Sequence, residues 1–186
     1  MAREKAAADK LNRPRTGKAD LGHMERLGQF IFKNTLHGVV RQKGWLHMIY
    51  EKSCGAVIYT QHDSTRLYLV EHMQKGHCSI CKGHVEGNET EHQTAAREIL
   101  EETGLTVTFL EGFRETIAYS PYENCMKTVV FFLARADSTA VTAQEAEVRE
   151  IEWLPFAEAV NALTFASDRE TLQKAEAFLQ AACGRD

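Results

Sequence analysis

Gly83-His-Val-Glu-Gly-Asn-Glu89-Thr-Glu-His-Gln-Thr-Ala-Ala-Arg97-Glu98-Ile99-Leu-Glu101-Glu102-Thr-Gly104-Leu105 is the most informative run in this chain of 186 residues. Its second half predicts a helix over about 90–103, with Thr90 as a cap and Gly104 as its end. Glu98, Glu101 and Glu102 then stand at i, i+3 and i+4, so one helix face presents three carboxylates. Like charges so close repel one another, which calls for a cation among them. Clustered hard oxygen ligands suit magnesium or manganese, which retain waters and bridge substrate phosphates. Glu89 and Arg97 flank that face, and a Glu–Arg pair between them would tie the loop after Gly83 to the helix. Gly83 and Gly87 let the backbone turn sharply and approach a ligand closely.

Working outward, strands are expected at about 53–60, 66–72, 105–110, 113–120, 127–136 and 149–154. Two further helices are expected at about 155–163 and 168–182, with Asp168 capping the last and Gly184 just past its end. Strands interleaved with a few helices give an α/β or α+β sandwich with helices packed on a sheet. There is no internal repeat. At 44% hydrophobic and 26% charged, the composition is that of an ordinary soluble globular domain. No run approaches the roughly 18 apolar residues of a membrane helix. No secretory signal is evident, and five scattered cysteines read as reduced thiols in a cytoplasm.

The net charge of -4 is unevenly spread. Residues 1–50 hold ten basic and four acidic residues, a balance of +6, which leaves -10 for the remainder. An acidic body suits a polyanionic substrate only if bound cations reverse the local field. Residues 1–47 read as a basic, disordered extension and 48–186 as the working domain. Three accounts of the extension stay open: translation that begins at Met48, an arm that attracts a polyanion, and a docking helix around residues 24–33.

The run from Gly83 to Leu105 resembles the Nudix box, G-x5-E-x7-R-E-U-x-E-E-x-G-U with U aliphatic, at every fixed position. Seven fixed residues, each used about one time in fifteen, make a chance match on the order of one in a million. The resemblance implies an α/β/α sandwich, a mixed sheet with the catalytic helix packed on it. It implies metal-assisted attack of water on a nucleoside diphosphate linked to another group, with Mg2+ (or Mn2+) as cofactor. It assigns Glu98, Glu101 and Glu102 as metal ligands together with the Gly83 carbonyl, and Arg97 with Glu89 as the orienting pair. Glu147, six residues before Trp153, stands where relatives place an extra metal-binding or basic Glu. Glu102, Glu98 and Glu147 are the candidates for the general base.

Four segments outside the box resemble the asymmetric diadenosine tetraphosphate hydrolases: Lys82-Gly-His84-Val-Glu86, Glu111 to Tyr119, Lys127 to Leu133, and Glu152-Trp-Leu-Pro-Phe156 with the helix that follows. By that likeness Lys82, His84 and Lys127 would hold the polyphosphate, and Tyr119 and Phe178 would stack on adenine. The likeness implies cleavage of diadenosine tetraphosphate to ATP and AMP. The alternatives are a nucleoside triphosphate or RNA 5′-end pyrophosphohydrolase and, from another class, a Nudix domain that binds nucleotides without catalysis. A nucleotide is the expected partner, with no membrane and no stable nucleic-acid partner. One departure stands out. Those hydrolases read Trp-x-x-Pro before Lys-Gly-His, where this chain has Cys78-Ser-Ile-Cys81. The resulting Cys-x-x-Cys is either a zinc or redox pair or, the better reading, two small residues entering the loop.

Overall fold

The computed structural model describes residues 48–62 and 65–183. The extension 1–47 and Gly184 lie outside them. Seven strands and three helices follow in the order β1 (Ile49–His62), β2 (Thr65–Met73), β3 (Cys78–Ser79), β4 (Lys82–His84), α1 (Glu91–Thr103), β5 (Val107–Tyr119), β6 (Cys125–Ala136), β7 (Val148–Pro155), α2 (Phe156–Ala162) and α3 (Ala166–Cys183).

The strands form one mixed sheet with the path β3-β2-β1-β6-β5, to which β4 adds beside β1 and β7 beside β2. The pairing of β1 with β6 is parallel over Ile49 to Tyr59, and the others are antiparallel. These two central strands read as continuous apolar runs because both of their faces are covered. Alternation assigns the residues to two cores. Val57, Tyr59, Val129, Phe131 and Leu133 face Ala159, Leu163, Leu172, Ala175 and Leu179 from α2 and α3. Ala56, Ile58, Val130, Phe132 and Ala134 face Ala95 and Ile99 from α1. The result is the expected α/β/α sandwich.

Three expectations change. The strands foreseen at 105–110 and 113–120 are a single strand, β5, whose register against β6 shifts between Phe109 and Arg114. A bulge bends a strand without ending it, and Gly112, at φ 88°, sits in the shifted stretch. The last helix starts at Ala166, so Asp168 lies within its first turn, buried, rather than capping it. The short strands β3 and β4, unseen in the sequence pattern, carry the chain into the site.

Candidate active site

Local chemistry fixes α1 as expected. Thr90 accepts the Gln93 N–H while the Gln93 side chain accepts the Thr90 N–H, a reciprocal capping box, and Gly104 closes the helix in the left-handed conformation. The helix is seated by its own ion pairs. Glu91 accepts from Lys52 on β1 and from Arg114 on β5 at 2.7–2.8 Å. Arg114, then Lys52, hold its carboxyl down at about 2.

Arg97 is the hub of the site. Its Nε and Nη2 grip both oxygens of Glu89 at 2.7 and 3.1 Å. Nη2 also donates to the His84 carbonyl at 2.8 Å, so the arginine bolts both ends of the 84–89 loop to the helix. Nη1 reaches Glu98 and Glu101, each at 2.9 Å. Glu89 accepts in addition from the Glu86 N–H and the Thr94 hydroxyl. This cluster of donors, Arg97 first, keeps the Glu89 carboxyl near 2.

A cleft of about 190 Å³ opens here, lined by Gly83, His84, Glu86, Arg97, Glu98, Glu101, Gln144 and Glu147. Four carboxylates against one guanidinium leave it strongly acidic. Glu147 is brought in by backbone bonds rather than by its own strand. The Glu102 carbonyl accepts the Gln144 N–H, and the Glu147 carbonyl accepts the Gln74 N–H. Burial pushes the Glu98 carboxyl above the usual range. The backbone of Gly83 presses directly on that carboxyl, since a Cβ there would fall 1.9 Å from the Glu98 carboxyl carbon. Clustered carboxylates in an uncompensated negative field, with the Gly83 backbone close against one of them, are a donor set for a hard divalent cation, so the residues fit the group the box implies.

The three box glutamates do not all face the same space. Glu98 and Glu101 line the cleft, but Glu102 is buried at the seam between helix and sheet. Its Oε2 accepts the Lys82 N–H at 3.2 Å and the Cys81 thiol at 3.1 Å. Behind it, Glu71 of β2 is only 1% exposed. Burial holds the Glu71 carboxyl and the Cys81 thiol well above their ordinary ranges. The sequence reading missed Glu71, although a charge directly after Tyr68-Leu69-Val70 was the available signal.

A basic corner adjoins the cleft. Lys127 on β6 approaches His84 Nε2 at 3.3 Å, and burial lowers its pKa, with Lys82 the next cause. His84 Nε2 also lies 3.5 Å from Glu51. One ring nitrogen cannot both accept from the lysine and donate to the carboxylate, and the shorter contact favours acceptance from Lys127. The other Glu51 oxygen takes the Tyr122 hydroxyl at 2.7 Å. Tyr119 stands directly across from Lys127 in the β5–β6 register and is 42% exposed. Phe178 is elsewhere. It is partly buried and packs edge-on against Phe113 on the α3 side of the sheet. The Cys-x-x-Cys does not converge either. Cys78 approaches His72 Nδ1 at 3.1 Å on one face of the sheet, while Cys81 faces α1 on the other. The four described cysteines with resolved surroundings are free.

A sandwich that presents a carboxylate-lined cleft, clamped by an arginine and bordered by lysines, defines a hydrolase of phosphoanhydrides. The NUDIX domain signature matches residues 50–175, and the chain belongs to that family. It is a Nudix pyrophosphohydrolase. The asymmetrical bis(5'-nucleosyl)-tetraphosphatase of Mus musculus is 32% identical over 140 residues, which span 69% of this chain and 95% of that protein. The structure of a C. elegans Ap4A hydrolase binary complex superposes with a TM-score of 0.65 at 28% identity, covering 70% of this chain and 98% of the other. The putative mutator protein MutT4 of Mycobacterium tuberculosis is 31% identical over 103 residues, covering 54% of this chain and 42% of that protein. No helix among the described residues is long and apolar enough to cross a membrane.

Proposed function

We propose that this enzyme hydrolyses dinucleoside polyphosphates, with diadenosine tetraphosphate cleaved to ATP and AMP in the presence of Mg2+. The observation that carries the reading is the basic corner beside the acidic cleft, with Tyr119 opposite Lys127 at its edge. A long polyphosphate can run from the cleft across Lys82, His84 and Lys127, and an adenine can then lie on the exposed Tyr119 ring. The 32% identity to the asymmetrical tetraphosphatase supports the same substrate class.

Glu98 and Glu101, which line the cleft, would hold the cation with the Gly83 carbonyl, and Glu102 would join them by turning outward from its bonds to Cys81 and the Lys82 N–H; the cation would supply charge neutralisation at the phosphates and acidify a water. Arg97 orients Glu98 and Glu101 while its grip on Glu89 and the His84 carbonyl fixes the loop above them. Glu147 lines the same cleft and makes no ion pair among the described residues, which leaves it free to accept a proton. In the reaction a water oxygen adds to phosphorus, its proton passes to Glu147, and the bridging oxygen leaves with the departing nucleotide.

Product analysis on diadenosine tetraphosphate, nucleoside triphosphates and triphosphorylated RNA tests the substrate. ATP and AMP from the dinucleotide, at a kcat/KM above the other two, is the expected result. Turnover of triphosphates alone sinks the proposal. Glu147→Gln separates roles: as the base it lowers kcat with KM little changed.

A further inference from the structure

Beneath the last turn of α1 lies a buried polar cluster of which the catalytic reading uses only Glu102. Glu71 from β2, Cys81 before β4 and Glu102 from α1 each bring a ligand atom within 4.8 Å of the others. All three are buried, at 1%, 0% and 3% exposure. Among the described residues Glu71 Oε1 has no hydrogen-bond partner, and neither has the buried hydroxyl of Ser79, the residue facing Glu71 across the β2–β3 pairing. Buried polar atoms are nearly always partnered, and buried charges are paired or coordinate metals. Two carboxyls and one thiol, with the Ser79 hydroxyl opposite Glu71, form a buried donor set without a cation.

We propose that Glu71, Cys81 and Glu102 form an interior site for a thiol-binding divalent cation, zinc by preference, distinct in ligand chemistry from the magnesium site in the cleft. The thiol argues against magnesium, which takes oxygen ligands, and for an ion of the zinc and cobalt kind. Three protein ligands with one open position is a common zinc arrangement. Ligand bonds of about 2.0–2.3 Å place tetrahedral ligands about 3.5 Å apart. The Cys81 Sγ to Glu102 Oε2 separation of 3.1 Å is already within that span, and the remaining separations, at most 4.8 Å, exceed it by about 1.3 Å at most. The orphaned Ser79 hydroxyl offers a partner to a water in the fourth position. Glu102 is the residue shared with the candidate catalytic face; only that sharing rests on the proposed function.

The test uses the full chain, stripped with a chelator and titrated with Co2+ as a spectroscopic substitute for Zn2+. One equivalent should raise a thiolate-to-cobalt charge-transfer absorption in the near ultraviolet. Zn2+ should abolish the band and excess Mg2+ should not. Cys81→Ser should remove it, Cys78→Ser should keep it, and Glu71→Gln should weaken cobalt affinity at least tenfold. Glu101→Gln, expected to lose turnover, should keep the band, so the failure of the catalytic reading and of this one are separable. X-ray absorption on the zinc-loaded wild type needs no variant and should find one sulfur among oxygens. No band in the wild type, a band that survives Cys81→Ser, or a zinc shell without sulfur overturns the proposal.

Discussion

Replacing Gly83 by alanine tests the centre of the site with a single methyl group. The new Cβ would lie 1.9 Å from the Glu98 carboxyl carbon and 2.1 Å from both of its oxygens. Ordinary carbon contacts sit at about 3.5–4.0 Å, so the carboxylate must retreat by about 1.5–2 Å. The displaced atoms are the tip of a flexible side chain, and Gly83 is not among the glycines with positive φ, so alanine adds no backbone strain. Stability should therefore change by less than about 1 kcal/mol. Catalysis should not be so tolerant. Glu98 would leave both the cleft and its 2.9 Å bond to Arg97 Nη1. A misplacement of about 1 Å can cost about 100-fold, equivalent to about 2.7 kcal/mol of barrier. We expect kcat to fall by at least about that factor, with weaker Mg2+ binding by calorimetry and an unchanged melting temperature. A Gly83→Ala enzyme with wild-type kcat and wild-type metal affinity would refute the cradle formed by Gly83 and Glu98.

Glu101→Gln should abolish Mg2+-dependent turnover while circular dichroism and melting stay as in the wild type, because Glu101 is half exposed and, among the described residues, tied to Arg97 alone; activity at wild-type level removes it from the metal site. Tyr119→Ala should raise KM for diadenosine tetraphosphate roughly five- to hundred-fold, from a stacking energy of about 1–3 kcal/mol, with kcat little altered; a fall confined to kcat would place Tyr119 among the reacting groups. Glu91, held near 2 by Arg114 and Lys52, has a folded pKa below its unfolded value. Its contribution to stability is present above about pH 4.5 and is lost as pH falls towards 2. Glu91→Gln should flatten that limb of an acid-melting curve, and an identical acid limb in both proteins would deny the ion pairs a role. By the resemblance drawn from the sequence, Cys78 replaces a tryptophan, and it contacts His72. Tyr119 and Tyr122 are the exposed aromatics at the basic corner, and because stacking tolerates any base, diadenosine and adenosine–guanosine tetraphosphates should differ by no more than a few-fold in kcat/KM; a strong preference for two adenines would refute recognition by stacking alone.

What the sequence disclosed follows from how local each feature is. The ends of α1 were legible because Thr90, Gln93 and Gly104 act within one turn of the helix they bound. The Glu89–Arg97 clamp was legible because both partners lie in one short segment. The splitting of β5 was a misreading of Gly112, whose positive φ serves a bulge inside a strand rather than a turn between two. Phe178 was ambiguous because an aromatic on an amphipathic helix reads the same whether its neighbour is a base or Phe113. The inward turn of Glu102 was hidden because its partners, Cys81 and the Lys82 N–H, come from a segment 20 residues away whose path depends on β3 and β4.

The same dependence explains why the Cys-x-x-Cys misleads. Spacing of that kind suggests two sulfurs on one ion, but an extended chain alternates its side chains between faces. Cys78 lies within the pairing of β3 with β2 and Cys81 an odd number of residues beyond it, and they fall on opposite sides of the sheet. Cys81 and Glu71 are brought to one side by that pairing, where Glu71 faces Ser79 and Cys81 lies two residues further on. The sheet thus separates the two cysteines that the sequence joins and joins the cysteine and glutamate that the sequence separates by ten residues. Any metal chemistry at Cys81 must draw on Glu71 and Glu102, the acids on its own face, and not on Cys78.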